Sequence, residues 1–227
     1  MTPFKQFKQF VAIITCAACA AIPALRADDS APIIVPHSHI ELFNGHNLAN
    51  WTTCMRTNGD SSATWTVTNG VIHCTGQPVG YLRTLTGYSD YKLSVTWRFV
   101  KIAPKLDNTG VLVHMQAPDK VWPPCVQVQG KHDHQGDLFV MAGAECKEHK
   151  GMDANTPVVM HGESAEEPVG EWNTSETFCT GATVTAYING KRMNTITECT
   201  VTNGFIGFQS EGADMEIRSA SLDPLPK

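Results

Sequence analysis

Charge is sparse and unclustered in this chain. Only 17% of its 227 residues are Asp, Glu, Lys or Arg, the formal net charge is −5, and no run of Lys or Arg occurs. The basic, aromatic-interleaved stripe of a nucleic-acid binder is therefore missing, and a neutral or weakly charged ligand fits better. Missing too is any capped amphipathic pattern of three helical turns, which argues against a helical or α/β fold. There is no Gly-rich phosphate loop, no Gly-x-Ser-x-Gly elbow and no pair of carboxylates at a recognisable catalytic spacing. Low-complexity tracts and internal repeats are absent as well.

The one long apolar run, Phe10 to Leu25, is too short and Ala-rich for a membrane span. Preceded by Lys5 and Lys8, it predicts a signal peptide over residues 1–27 and a periplasmic or secreted protein. Cys16 and Cys19 leave a lipoprotein anchor as the alternative. Residues 28–39, with Pro32 and Pro36, read as a linker, and 40–227 as one domain.

Beyond that run the cysteines are Cys54, Cys74, Cys125, Cys146, Cys179 and Cys199, none in the Cys-x-x-Cys spacing of a zinc or redox site. In an exported chain they point to disulfides, with 15 connectivities open. Cys179 and Cys199 lie almost symmetrically about Asn189-Gly190, so a hairpin there would bring them close. Cys54 with Cys74, and Cys125 with Cys146, pair only by proximity.

What the chain has in plenty is alternation. Tyr91, Leu93, Val95, Trp97 and Phe99 alternate with Lys92, Ser94, Thr96 and Arg98, so one face of that strand is buried. The same period of two recurs in Val111 to Met115, Val126 to Gln129, Leu138 to Met141, Val184 to Ile188, Phe205 to Ser210 and Met215 to Arg218. Asn69-Gly70 between Trp65–Val67 and Val71–His73 is a strong hairpin signal. Such strands, separated by Gly, Asn, Asp and Pro turns, predict an all-β sandwich. Gly143 to Glu171, irregular and polar, reads as a long excursion between strands.

The polar residues set among these strands are the candidates for function. Strict alternation turns His114 away from Val111, Val113 and Met115, and puts Gln127 and Gln129 on the face opposite Val126 and Val128. The three could line one concave outer surface and hydrogen-bond sugar hydroxyls. Asp137 would sit at its rim. His132 and His134, flanking Asp133, are either two ligands for a divalent ion or a polar loop tip. Arg83 is either a sugar-binding cation or a solvated edge residue. Gln209 and Glu211 share a face, where the carboxylate could act as a base or as an edge-strand charge.

Several stretches, in order, carry a family resemblance: ELFNGHNLANW, WTVTNGVIHCTG, GYLRTLTGYSDYKLSVTWR, DNTGVLVHM, DKVWPPCVQVQ, GDLFVMAG, PVGEWN, YINGK and GFQSEGADMEIR. Together they resemble the 3-keto-disaccharide hydrolase domain family over essentially all of the chain after the leader, although single-strand motifs of this kind also occur in laminin-G-like lectin domains. The resemblance implies a concanavalin A-like jelly-roll β-sandwich of two antiparallel sheets with a sugar site on the concave one. It also implies cleavage of glycosides already oxidised to a ketone at C3, by C2 deprotonation, elimination and hydration. A separate sugar 3-dehydrogenase would make that substrate, and a divalent metal ion is the one cofactor such chemistry could use. On this reading Glu211, His114 or Asp137 supplies the base, while Gln127, Gln129, Arg83, Asn108 and Gln209 bind the sugar. One departure stands out: Gln127 occupies the position where the family usually has Glu, and Gln can be neither a base nor an anionic metal ligand. The alternative is a non-catalytic carbohydrate-binding module on the same fold; a surface interaction domain without a sugar ligand is a third.

Overall fold

The computed structural model describes residues 32–57, 61–105 and 107–226. The predicted signal peptide lies outside the described residues. Among the described residues sixteen strands follow in chain order. The first eight are β1 (Ile33–Ile34), β2 (Ile40–Glu41), β3 (Trp51–Met55), β4 (Trp65–Thr68), β5 (Val71–Cys74), β6 (Gly80–Thr84), β7 (Gly87–Tyr88) and β8 (Tyr91–Lys101). The second eight are β9 (Gly110–Met115), β10 (Cys125–Gln129), β11 (Leu138–Met141), β12 (Asn173–Thr180), β13 (Thr183–Ile188), β14 (Lys191–Ile196), β15 (Phe205–Ser210) and β16 (Asp214–Pro224).

Two antiparallel sheets form a jelly-roll sandwich of the concanavalin A-like type. One has six strands in the order β11-β10-β9-β15-β6-β3; the other has eight, running β14-β13-β12-β8-β16-β5-β4 with β2 added beside β16. The short β1, in the segment read as a linker, pairs in parallel with β7. The alternation in β8 is as the sequence indicates, with Tyr91, Leu93, Val95, Trp97 and Phe99 all buried. They meet Val111, Val113, Val126, Val128, Ile206 and Phe208 from the six-stranded sheet in one continuous core. Burial of each such side chain contributes roughly 1.5–3 kcal/mol.

Both Asn-Gly hairpins form. Asn69 and Gly70 join β4 to β5, and Asn189 and Gly190 join β13 to β14, all four with positive φ as a tight primed turn requires. The excursion from Ala142 to Trp172 carries no named strand and one short 3-10 turn, Lys147–His149.

The disulfide expectation is corrected. Among the described residues the six cysteines are free thiols, including Cys179 and Cys199. Cys179 faces Val184 across the β12–β13 pair. Cys199 lies beyond the end of β14, its N–H bonded to Ala182 O at 2.9 Å. Cys179 sits on β12, one strand before the β13–β14 hairpin, so β13 stands between it and the strand that leads to Cys199.

Candidate functional site

The outer face of the six-stranded sheet carries the polar groups. In β10, Val126 and Val128 enter the core, so Gln127 and Gln129 point the other way, as the alternation indicates. Across the next strand, Gln127 lies beside Leu112 and Gln129 beside Gly110. Beyond it β15 presents Gln209, paired in register with Tyr81 of β6.

These amides form one connected chain whose direction is fixed at one end. The Gly130 and Lys131 backbone N–H groups both donate to Gln129 Oε1, at 3.0 and 3.3 Å. A backbone N–H can only donate, so the oxygen of that amide must lie there. Gln127 Nε2 donates to the same Oε1 at 3.0 Å and also to Gln209 Oε1 at 3.1 Å. Gln209 Nε2 then faces Glu211 Oε2 at 2.6 Å, and Asn108 Nδ2 donates to that same oxygen at 2.8 Å. Thr109 Oγ1 holds the Gln209 backbone carbonyl at 2.7 Å. Among the described residues, no hydrogen bond occupies Gln127 Oε1 or Gln129 Nε2, which leaves an acceptor and a donor for a ligand.

Glu211, at the end of this chain, is half-buried, and burial pushes its carboxyl above the usual carboxylate range against an opposing pull from Arg56. A carboxylate in that state is a better base than a solvated one.

Gly110 makes the chain sterically feasible. Gln127 and Gln209 belong to strands separated by β9, and they meet over the one position of β9 without a side chain. A Cβ at Gly110 would lie 2.8 Å from Gln127 Nε2 and 3.1 Å from both Gln127 Cγ and Val128 O.

His114 does not join this face, contrary to the alternation argument. Met115 pairs with Phe205 and Leu112 with Gly207, so β9 holds one residue more than β15 over that interval. His114 takes φ +55° at this bulge. The inserted residue reverses the parity beyond it: Leu112 and Met115 share the outer cluster while His114 turns inward. There it is fully buried, its ring 5.9 Å from that of Tyr91, with Nδ1–H donating to Val201 O at 3.1 Å. Burial lowers its pKa to about 4, and Nε2 has no partner. A neutral imidazole facing the core is no base for an external sugar.

Arg83 is neither a free cation nor a solvated edge residue. It is 2% exposed and donates from Nε and Nη2 to the two oxygens of Asp119, each at 2.7 Å. Its guanidinium lies 3.9 Å from the centre of the Phe205 ring, a cation–π contact. The Tyr81 hydroxyl donates to Asp119 Oδ1 at 2.9 Å. Asp119 thereby fastens the Gln116–Pro124 segment over Leu112, Met115 and Phe205, where Ala117 and Trp122 also pack. The sequence reading missed Asp119, and no local signal marks it, because its partners lie 36 and 38 positions away.

Asp137 is not on an open rim. It is buried, accepting Met160 N–H at 2.7 Å on Oδ1 and facing His134 Nδ1 at 3.3 Å on Oδ2. Its role is to hold the return of the long excursion against the β10–β11 turn. His132 and His134 do not converge: His134 goes to Asp137, while His132 Nδ1 lies 2.9 Å from Glu166 Oε2.

The site is thus an amide chain ending in a half-buried carboxylate, on the outer face of a concanavalin A-like jelly-roll sandwich. Residues 38–223 match the model of the 3-keto-alpha-glucoside-1,2-lyase-like domain, and the chain belongs to that family. Among solved structures, a glycosyl-hydrolase-like protein of Parabacteroides distasonis shares 21% identity at TM-score 0.61, covering 83% of this chain and 94% of that one. The carbohydrate-binding module CBM66 of Bacillus subtilis shares 15% identity at TM-score 0.54, covering 78% and 97%. The Ca2+/Man2-bound exoplasmic/lumenal domain of VIP36 shares 12% at TM-score 0.54, covering 84% and 88%. At these identities the likeness is one of fold. No curated protein matches the chain.

Proposed function

We propose that this protein cleaves glycosides whose sugar carries a ketone at C3, with Glu211 as the base. The observation that carries the reading is the half-buried Glu211 carboxylate, raised in pKa and oriented by Gln209 and Asn108, on the polar face of a domain of this family.

A C3 ketone acidifies the C2–H bond. Glu211 takes that proton; the C2–H electron pair forms the C1=C2 double bond as the C1–O bond breaks, and the leaving oxygen departs to be protonated by solvent. Water then adds across C1=C2, its hydroxyl to C1 and a proton to C2, giving the free 3-keto sugar. Negative charge developing on the C3 oxygen needs a donor, and Gln129 Nε2 is the amide N–H group left free for it. Gln127 Oε1 accepts a sugar hydroxyl.

Gln127 at the family's usual Glu position has a physical reading in this network. Its Nε2 gives one hydrogen to Gln129 Oε1 and the other to Gln209 Oε1. A carboxylate there would face two acceptor oxygens, so the chain is built around an amide, and the anionic role falls to Glu211. The substrate would come from an oxidoreductase acting at C3 of the parent glycoside, and the predicted leader supports a reaction in the periplasm or outside the cell.

Incubation of the purified protein with a 3-keto-glucoside tests this. The wild type is expected to release the aglycone, and Glu211→Gln to bind the sugar without releasing it. Release at an unchanged rate by Glu211→Gln removes that residue as the base.

A further inference from the structure

We infer that His132, Asp133 and Glu166 form a site for a divalent transition-metal ion, at the tip of the turn between β10 and β11. The sequence places these residues 34 positions apart at the widest; the fold brings Glu166, from the long excursion, onto the turn. Glu166 Oε2 accepts from His132 Nδ1 at 2.9 Å and from the Asp133 backbone N–H at 3.1 Å. On the other side of the ring, His132 Nε2 lies 3.7 Å from Asp133 Oδ2.

Proximity alone would not make a site, and the second observation is an orphaned oxygen. The Glu166 side chain is only 4% exposed, and its Oε1 is buried without any hydrogen-bond partner. A buried carboxylate oxygen lacking a donor is costly unless something positive meets it. Among the described residues no Lys or Arg pairs with that carboxylate, which meets only the imidazole of His132.

One donor atom from each of the three residues lies within 4.8 Å of the other two. Metal–ligand bonds of roughly 2.0–2.2 Å hold two donors no more than about 4.4 Å apart, so the site closes with a small side-chain shift. Asp133 can supply it, its side chain being 72% exposed and unconstrained by the core. His132 is held from behind by Phe99, whose ring it meets edge-on at 6.2 Å. One imidazole with two carboxylates suits Zn2+ or Mn2+ better than the oxygen-only cages of Ca2+ or Mg2+.

The site would clamp the long excursion to the turn. It also abuts the amide chain, since His132 N–H donates to Asp107 O at 3.1 Å and the next residue, Asn108, holds Glu211. The chemistry proposed for Glu211 does not depend on it, and its test reads binding rather than turnover.

The test is titration of tag-free, chelator-treated protein with Zn2+ and with Mn2+ by calorimetry, alongside a Ca2+ arm, with melting temperature as a second readout. One equivalent of Zn2+ or Mn2+ is expected to bind and raise the melting temperature, with Ca2+ weaker. Glu166→Gln and His132→Ala should abolish that binding. Asp133→Asn, at an exposed position that leaves the fold intact, should weaken it at least about tenfold. Absence of a one-equivalent site in the wild type, or Asp133→Asn binding as tightly as the wild type, would overturn the assignment.

Discussion

Gln127 and Gln209 meet at 3.1 Å across a strand that belongs to neither of them, through the space left by Gly110. That contact links the backbone donors at Gly130 and Lys131 to the carboxylate of Glu211 through amide groups whose orientations are all determined. The face is thus preorganised, with its hydrogen-bond directions set before a ligand arrives.

Gly110→Ala should break this contact. The added methyl meets Gln127 Nε2 at 2.8 Å, and a buried amide without its partner is costly. Urea unfolding should show a loss of about 1–3 kcal/mol. Sugar affinity should fall with it.

Glu211→Gln should reduce turnover by about 10²–10⁴-fold while leaving sugar binding in place. The wild-type rate should rise with pH along an acid limb whose midpoint lies above the ordinary carboxyl value of 4.5, because burial favours the protonated form. A limb at or below the ordinary value would count against Glu211. The same sign predicts that ionising Glu211 costs stability, so Glu211→Gln should be no less stable than the wild type at neutral pH.

His114 should make the fold acid-sensitive. Its pKa is about 4 in the folded chain against 6.5 for the unperturbed group, so between those values the unfolded chain takes up a proton that the folded one refuses. Stability is therefore full above pH 6.5 and falls as pH drops towards 4, by up to about 3 kcal/mol. His114→Asn, which tolerates the positive φ at this position, should flatten that segment of the pH–stability profile. Denaturant melts across the window decide it, and an unchanged slope would place the acid sensitivity elsewhere.

Asp119→Ala should leave the Arg83 guanidinium buried and unpaired. Loss of the two-point contact is expected to cost about 2–3 kcal/mol and to loosen the Gln116–Pro124 segment. Hydrogen exchange should show faster exchange in that segment; exchange as slow as the wild type's would mean that Trp122 and Ala117 alone hold it down.

The sequence disclosed what depends on local pattern. Tyr91 to Phe99 alternates without interruption, Asn-Gly marks two turns, and the placing of Gln127 and Gln129 opposite two core valines follows from period two. His114 was misplaced because one inserted residue reverses the parity, and the run Val111 to Met115 does not reveal which position bulges. Arg83 could be identified as a notable cation but not paired, since Asp119 lies on a proline-rich segment 36 residues on. His132 and His134 part to different carboxylates, Glu166 and Asp137, and the sequence could not show it because Glu166 comes from the irregular excursion. Cys179 and Cys199 show the limit of symmetry about a turn: a second turn, between β12 and β13, falls inside the interval, so the two do not lie on the paired strands of one hairpin.

Cleavage of a 3-keto-glucoside in D2O, followed by NMR of the released sugar at early times against a control of the product incubated alone, tests the proposed chemistry most directly. Deprotonation at C2, elimination and hydration must leave deuterium at C2 of the product in excess of the control, and Glu211→Gln must release product no faster than the reduced rate predicted for it. A released sugar that retains its original hydrogen at C2 would contradict the mechanism and point instead to direct displacement at C1.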